Sequence, residues 1–432
     1  MNGELANYRV LPSVVQKGVK TNVLIFPLGE HAHFEDESGY TVTLIPMDIC
    51  NGVAPFKEGE VAKYDVITTK PKNGSISFTY TFENEQEWVI KIEKPESDFC
   101  KKFYIYSLSS DLYELSPYKG DLHIHTSRSD GREEPAIVAA NYRKKGFDFI
   151  AITDHHRWEP SKEAMDKYKD MPINLKLFFG EEVHVPTGHI HSVNFGGGYS
   201  INSLYHDNKS EYDAEIEQYA KSIDVPDGIN SLEFAYRKWI HENIKKSGGL
   251  SIYVHPFWIS RDIYHVQSNM AEYILEAGCY DAFEVLNSGN VQRNNMQVAL
   301  YHDQRAAGKK IPIVGSSDSH GTEPPRNFDA VKTIVFSKDL ELDSICGAIK
   351  GLLSVAVEGF SKEDFRVYGP LRLVKYTRFL MERYFPIHDE LCIEEGLLMK
   401  DYICGNKQAP QLLKGISNRV DEFANAFFGK AI

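Results

Sequence analysis

The pattern of hydrophobic and polar positions changes near residue 115. Before that point, short runs rich in β-branched and aromatic residues alternate with turns of Gly, Pro, Asn and Glu, and these runs are TNVLIF, YTVTLIPM, GSISFTYTF, EWVIKIE and FYIYSL. Runs of this length and composition are typical of β-strands. Residues 1–115 are therefore predicted to form an all-β, sandwich-like accessory domain.

Beyond Pro117, apolar strand runs alternate with helical patterns. DLHIHT is predicted as a strand, PAIVAANYRKK as a helix with Pro135 in its first turn, and FDFIAIT as the next strand. The strands LKLFFGEEV, LSIYVH, YDAFEVLN and IPIVGSS follow in the same alternation. Near-continuous apolar strands between helices indicate an α/β fold with a parallel sheet covered on both faces. Residues 116–360 are predicted to form a TIM-like barrel of roughly seven βα units, and residues 361–432 a helical C-terminal extension.

No apolar run approaches the length of a membrane-spanning helix, and 42% hydrophobic with 25% charged residues is typical of soluble globular proteins. The first residues, MNGELANYRVLPSVV, lack the basic start and apolar core of a secretory signal, so a cytoplasmic location is expected. The six Cys lie far apart without a CxxC pair, which predicts reduced thiols and no thiolate zinc site.

The formal net charge of −13 disfavours a surface that follows a nucleic-acid backbone, because such surfaces depend on clustered Lys and Arg. A small substrate fits this charge better, and no membrane partner is expected. For the N-terminal domain, shielding of a pocket or assembly of a homo-oligomer is the expected role, with ligand binding as an alternative.

Candidate metal ligands follow the strands of the second domain. His123 and His125 are two residues apart in DLHIHT, so both imidazoles point to one face of an extended strand. Asp130 follows in a Ser-Asp-Gly turn, and later strand ends carry His155, Glu182, His255, Asp318 and His320. Barrels of this kind hold their active sites at the C-terminal strand ends. The clustering there predicts a single site rather than scattered core histidines.

The motifs DLHIHTSRSDG, AITDHH, FGEEV, YVHP and GSSDSH resemble, in this order, those of the polymerase and histidinol phosphatase (PHP) family, over roughly residues 117–360. The resemblance implies a distorted seven-fold βα barrel, a site for up to three metal ions and phosphoester hydrolysis. The ligand set that it implies is His123, His125, Asp130, His155, Glu182, His191, His255, Asp318 and His320. Asp130 stands where some members of the family have His, and both residue types bind such metals.

Several assignments have alternatives. His191 fits best the family's pattern of a His before a short apolar strand, but His184 or His189 could replace it as ligand or contact the substrate. His156 and Asp154 are the candidate catalytic residues. His156 is the candidate acid for the leaving oxygen, whereas Asp154 serves either as a hydrogen-bond acceptor behind the ligand His155 or as a helix cap.

Imidazole and carboxylate ligands without thiolate suit zinc, manganese or iron, and two or three divalent ions are expected. A hydroxide that bridges the ions is the expected nucleophile, and Arg157 and Arg261 are the candidate phosphate-binding residues because each follows a ligand-bearing strand end. The predicted function is hydrolysis of a small phosphate ester. The alternatives are a nuclease or phosphodiesterase acting on nucleic acid, an amidohydrolase-like C–N hydrolase, and a non-catalytic PHP scaffold.

Overall fold

The computed structural model describes residues 3–48, 64–186, 190–287, 291–323, 328–359 and 364–430. Its contacts divide the chain into two units, which are Met1–Leu115 with Arg378–His388 and Asn418–Ile432, and Ser116–Thr377 with Asp389–Ser417. Within the described ranges, no helix combines the length and apolar character that crossing a membrane requires. The predicted boundary at residue 360 lies outside the described residues, and the predicted division into three domains stays a prediction.

In the described residues, the first unit contains two β-sheets. Its strands are β1 (Tyr8–Leu11), β2 (Val14–Gln16), β3 (Lys20–Pro27), β4 (Tyr40–Pro46), β5 (Asp65–Thr69), β6 (Ile76–Thr81), β7 (Gln86–Glu93) and β8 (Cys100–Leu108), and its first helices are α1 (Gly3–Asn7) and α2 (Ser110–Tyr113). The sheet orders are β1-β3-β6 and β2-β8-β7-β4-β5. Alternate residues of both sheets, such as Ile25 and Ile90, share one core. The predicted β-runs lie on these strands, and the sandwich-like arrangement stays a prediction.

The second unit has two larger sheets and a small hairpin. Its strands are β9 (Ser116–Asp121), β10 (Phe149–Ala151), β11 (Lys176–Phe178), β12 (Gly180–Val183), β13 (Ser192–Phe195), β14 (Leu250–Tyr253), β15 (Ile259–Ser260), β16 (Ile263–Tyr264), β17 (Ala282–Leu286), β18 (Ile313–Gly315), β19 (Val331–Ser337), β20 (Ser354–Gly359) and β21 (Phe365–Tyr368). The sheet orders are β11-β10-β9-β19-β20-β21 and β12-β13-β14-β17-β18, and β15 pairs with β16.

The α/β class is confirmed, but the closed seven-fold barrel of parallel strands is not. Strands β9, β10 and β11 are parallel, as are β14, β17 and β18, whereas β12, β13 and β14 pair antiparallel. The connection from β12 to β13 is too short for the crossover that a parallel pair requires. The predicted strand LKLFFGEEV is also divided, because β11 and β12 belong to different sheets.

The remaining helices are α3 (Pro135–Lys144), α4 (Glu159–Tyr168), α5 (Ile201–Asp207), α6 (Lys209–Ser222), α7 (Ser231–Lys246), α8 (Ser268–Glu276), α9 (Val291–Ala306), α10 (Leu342–Lys350), α11 (Leu371–Arg383), α12 (Phe385–Ile403), α13 (Ala409–Ile416) and α14 (Arg419–Phe427). Helix α3 begins at Pro135, as predicted, and is followed by Gly146 at a φ of 79°. The C-terminal region is largely helical, but β21 at its start pairs with β20.

Candidate metal centre

Most of the predicted ligands follow the C-terminal ends of strands in the second unit, but Glu182 lies on β12 and His191 directly precedes β13. Strand β9 ends at Asp121, two residues before His123, so the two histidines of DLHIHT lie just beyond the strand rather than within it. Leu122 and Ile124, which alternate with them, are fully buried in apolar clusters. This alternation turns His123 and His125 to the other side, toward the site, as the sequence pattern predicts.

Glu182 on β12 occupies the centre of the cluster. Its side chain is fully buried, and six imidazoles lie within 3.5 Å of its carboxylate oxygens, at 2.7 Å for His191, 2.8 Å for His155, 3.3 Å for His255, 3.4 Å for His123 and His125, and 3.5 Å for His184. A single carboxylate thus connects residues that come from four separate segments of the chain.

Two further carboxylates complete the cluster. Asp318 Oδ1 lies 3.0 Å from His125 Nε2 and 3.4 Å from His123 Nε2. Asp130 Oδ2 lies 3.2 Å from His320 Nε2 and 3.4 Å from His155 Nε2. The nine predicted ligands are therefore brought together, although their assignment as ligands stays a prediction.

Within the described residues, four groups drawn from these side chains and His184 have ligand atoms within 4.8 Å of one another and could hold a metal ion. They are His125 with Asp130, His155 and His320; His123 with Glu182 and His255; His123 with His125 and Asp318; and His155 with Glu182 and His184. Because His123, His125, His155 and Glu182 each occur in two groups, the arrangement suits neighbouring ions that share ligands.

Burial and neighbouring charges shift the pKa values of these groups in opposite directions. Burial alone would raise the pKa of Glu182, but His191 and His123 hold that pKa well below its usual range. Burial alone would lower the pKa of His123, but Asp318 and Glu182 raise it well above its usual range. The carboxylates therefore stabilise positive charge on the neighbouring imidazoles. A divalent cation bound here would stabilise the carboxylates in the same way.

Buried polar atoms without hydrogen-bond partners support a metal at this place. Within the described residues, both oxygens of Glu182, both ring nitrogens of His125 and Nε2 of His123 lack such a partner, because the short separations between nitrogen and oxygen in the cluster do not have hydrogen-bond geometry. Each unsatisfied buried polar group costs about 1–3 kcal/mol, so a fold rarely leaves several together without a ligand. Nitrogen and oxygen donors without thiolate fit zinc, manganese or iron.

The backbone at two predicted ligands adopts an unusual conformation. His255 has a φ of 25° and Asp318 a φ of 50°, in a region that residues with a side chain rarely occupy. Such positions concentrate at functional sites because the surrounding structure must hold them there.

Asp154 is turned away from the ligand cluster. Its Oδ1 accepts hydrogen bonds from Thr126 N at 2.8 Å and Ser129 Oγ at 2.5 Å, and its Oδ2 accepts one from Thr126 Oγ1 at 2.6 Å. It thereby fixes the loop between His125 and Asp130. This placement is closer to the positioning role than to the helix cap, and a catalytic role stays a prediction.

The other predicted functional side chains lie at the solvent-exposed rim. His156 and Arg157 are exposed directly after His155, and Arg261 is exposed in the turn between β15 and β16. Although the residue is exposed, partial desolvation of its imidazole, together with the nearby His155, lowers the pKa of His156. A neutral imidazole at neutral pH suits hydrogen bonding better than proton donation, so the acid role of His156 stays a prediction.

The structure gives the positions of two of the three candidate histidines, His184 and His191. His184 lies beside the cluster, with Nε2 at 2.8 Å from His155 Nδ1. His191 is closer to Glu182 than His184 is, but among the described residues His184, and not His191, belongs to a group that could hold a metal ion, so the choice of His191 stays a prediction. His189 lies outside the described residues.

Three residues near the site were missed by sequence reasoning. Glu284 on β17 lies 3.0 Å from His123 Nδ1, and the signal was a single acidic residue within the apolar strand AFEVL. Trp258 and His265 pair across the hairpin, and their rings lie 5.7 and 4.4 Å from that of His191. Burial together with His191 lowers the pKa of His265 to about 3, so its imidazole is neutral. No spacing in the sequence marked this pair.

Comparison with known proteins places the site in a family context. Residues 121–253 match the family model described as PHP domain. The chain is 30% identical over 138 residues to a DNA polymerase/3'-5' exonuclease PolX of Bacillus subtilis, a match that covers 31% of this chain and 22% of that protein. It is 27% identical over 150 residues to an uncharacterized protein of Methanocaldococcus jannaschii, covering 32% of this chain and 68% of that protein. The chain thus spans about a fifth of the length of the polymerase relative.

Two solved structures are also similar. One is a two-domain protein from Bacteroides vulgatus described as containing a predicted PHP-like metal-dependent phosphoesterase, with a TM-score of 0.40, 19% identity, and coverage of 56% of this chain and 65% of that chain. The other is an amidohydrolase from Chromobacterium violaceum, with a TM-score of 0.31, 16% identity, and coverage of 48% and 88%. Three of the five ordered motifs lie within residues 121–253, so the family match confirms over that range the resemblance to the PHP family that those motifs predict.

Proposed function

We propose that this chain is a metal-dependent phosphoesterase that hydrolyses a small phosphorylated substrate. The observation that carries the proposal is the central Glu182 carboxylate, buried among imidazoles with both oxygens lacking a hydrogen-bond partner in the described part of the chain. Three of the possible metal groups match the predicted ligands: His125 with Asp130, His155 and His320; His123 with Glu182 and His255; and His123 with His125 and Asp318. These groups support two or three divalent ions, with His191 completing the set beside Glu182.

Divalent ions in these groups would supply Lewis acidity toward phosphoryl oxygens and an activated water for in-line displacement. The chain itself determines how a substrate reaches them. The side chain of Asp130 is 54% exposed and that of His320 27% exposed, whereas those of His123 and Glu182 are fully buried. We therefore place substrate entry on the side of Asp130 and His320.

Arg157 and Arg261 are the proposed phosphate-binding groups. Both are exposed, and each follows a strand end that carries a proposed ligand, His155 in one case and His255 in the other. A guanidinium can donate two parallel hydrogen bonds to a phosphate, which positions the ester without covalent chemistry. His156, with its lowered pKa, is suited to hydrogen-bond the leaving oxygen from the same rim.

A nuclease is the second candidate, because the similar polymerase is described as a 3'-5' exonuclease. The net charge of −13 favours the small ester instead. A protein that neutralises several phosphates weakens steeply with added salt, whereas a pocket that grips one phosphate does not.

The test compares hydrolysis of an aryl phosphate, a sugar phosphate, a mononucleotide and a single-stranded oligonucleotide at low and near-physiological salt, with the metal concentration fixed. We expect turnover of small esters that depends little on salt and disappears on chelation. Faster turnover of the oligonucleotide with strong salt inhibition would replace the proposal by the nuclease. Full activity in protein shown by elemental analysis to be metal-free would end both.

A further inference from the structure

The two ring nitrogens of His123 have different surroundings. Nε2 faces the cluster, at 3.4 Å from both Glu182 Oε2 and Asp318 Oδ1. Nδ1 points the opposite way and lies 3.0 Å from Glu284 Oε2. Both residues of this second contact are fully buried, so water does not compete for it.

Glu284 is itself held in place. Its Oε1 accepts a hydrogen bond of 2.6 Å from the side-chain amide of Asn287. The backbone N–H of Asn287 in turn donates to Asn294 Oδ1 on α9 at 2.9 Å, which fixes the end of β17 against that helix. The same amide nitrogen of Asn287 lies 3.5 Å from Asp318 Oδ2, so it also reaches a second proposed ligand.

We propose that Glu284 is a positioning residue that holds His123 in the tautomer with the proton on Nδ1, leaving the lone pair of Nε2 toward the metal ions. The reason is the hydrogen-bond inventory, since a carboxylate offers only acceptors and its neighbour Nδ1 must then donate. Metal-binding histidines commonly have such a partner, which fixes the tautomer and ring orientation and raises the basicity of the ligating nitrogen. The inference rests on the proposed function only for the statement that His123 binds a metal ion.

Replacing Glu284 by Gln keeps the shape but removes this constraint. The amide has a donor as well as an acceptor, so it can hydrogen-bond either tautomer, and it lacks the charge that raises ligand basicity. Loss of such a partner weakens metal binding by roughly 10- to 100-fold. We therefore expect zinc affinity of Glu284→Gln, measured by competition with a chromophoric chelator, to fall within that range.

Glu358 provides a matched control. It is a buried carboxylate on a strand of the same unit, with 4% of its surface exposed, and it accepts a hydrogen bond of 2.8 Å from the side-chain amide of Asn294. Because the side-chain oxygen of Gln can still accept this hydrogen bond, Glu358→Gln removes the charge and keeps the contact between Asn294 and Asn287. In the described part of the chain no imidazole contacts Glu358. A general effect of removing a buried charge would lower the melting temperature of both variants, but only Glu284→Gln is expected to lose zinc affinity.

The competition titration is run on metal-free wild-type protein, Glu284→Gln and Glu358→Gln. Zinc affinity of Glu284→Gln within twofold of both other proteins would overturn the proposal. Because Glu284→Gln can fail to fold, a second measurement uses the wild type alone, in which histidine ¹⁵N shifts of the zinc-loaded protein, assigned with His123→Gln, report which ring nitrogen carries the proton. A single proton on Nδ1 supports the proposal, whereas a proton on Nε2, alone or together with one on Nδ1, overturns it. Neither readout needs phosphoesterase activity, so failure of the proposed substrate class leaves this result interpretable.

Discussion

The two ends of strand β10 carry buried charged groups that are treated in opposite ways. Before the strand, the fully buried Arg143 donates from Nη1 to Asp148 at 3.3 Å and to the Phe147 carbonyl at 3.0 Å, and from Nε to Glu395 at 2.9 Å. Its Nη2 has no hydrogen bond in the described residues but forms an ion pair with Glu395 at 2.9 Å. Beyond the strand lies the metal cluster, in which several buried donors and acceptors have no hydrogen-bond partner in the described residues. A buried charge that stabilises the fold is paired with other groups of the chain. At a ligand-binding site, the bound ligand supplies the partners instead.

The largest expected effect separates activity from folding at the site end. His123→Ala and Asp318→Ala should each lower phosphoesterase activity by at least about 1,000-fold, because loss of a metal ion removes several kcal/mol of transition-state stabilisation. The fold should persist, since the core clusters around the site are apolar. Activity assays with circular dichroism measure both quantities.

His302→Ala is the control for removing a histidine, because His302 lies on α9 away from the cluster. It should retain activity. Collapse of the fold in His123→Ala would instead mean that the cluster is structural, and activity retained in both site variants would remove the proposed ligands from the mechanism.

At the Arg143 end of β10, a substitution should reduce stability and leave metal binding unchanged. Arg143→Ala removes the buried cation that forms ion pairs with Asp148 and Glu395, which is expected to lower the free energy of unfolding by about 3–5 kcal/mol. Denaturant titration measures this loss. Any folded fraction should retain zinc affinity, because Arg143 contacts none of the proposed ligands in the described part of the chain. A stable variant with weakened zinc binding would contradict the comparison.

The same contrast explains which residues of the site the sequence could predict and which it could not. The ligands were predicted because imidazoles and carboxylates at strand ends are unusual in type and spacing. Glu284 was missed because its partner His123 is 161 residues away, and only the pairing of strands brings them together. The antiparallel β12–β13 pair was missed for a related reason, since the pattern EEVHVPTGHIHSVNF gives the strands but not their direction.

Metal binding should stabilise the folded protein through the ligand cluster alone. A ligand that binds only the folded state adds about 2.7 kcal/mol at a free concentration 100 times its dissociation constant. Zinc should therefore raise the melting temperature of the metal-free wild type. The shift should shrink in His123→Ala, which removes a residue shared by two of the possible metal groups. Differential scanning calorimetry measures it, and an equal shift in both proteins would indicate that zinc binds elsewhere.

The smallest expected effect concerns Arg261, whose exposed guanidinium contrasts with the buried guanidinium of Arg143. Arg261 is exposed at the tip of the β15–β16 hairpin, with a φ of 52°, and in the described part of the chain it forms no ion pair. The base of that hairpin is fixed beside the site by Trp258, whose ring lies 5.7 Å from that of His191. An exposed Arg on this hairpin, without a carboxylate partner in the described residues, is available to a substrate phosphate.

Arg261→Gln should therefore raise KM by about tenfold, equivalent to about 1.4 kcal/mol, and change kcat little, since the contact binds ground state and transition state alike. Gln has the same preference against positive φ, so the turn is matched. Arg305→Gln on α9, which also replaces an exposed Arg, is the control and should leave KM unchanged. Steady-state kinetics with the best small ester measure both. A fall in kcat at unchanged KM would move Arg261 from substrate binding to transition-state stabilisation, and equal KM values in the two variants would leave phosphate binding to Arg157.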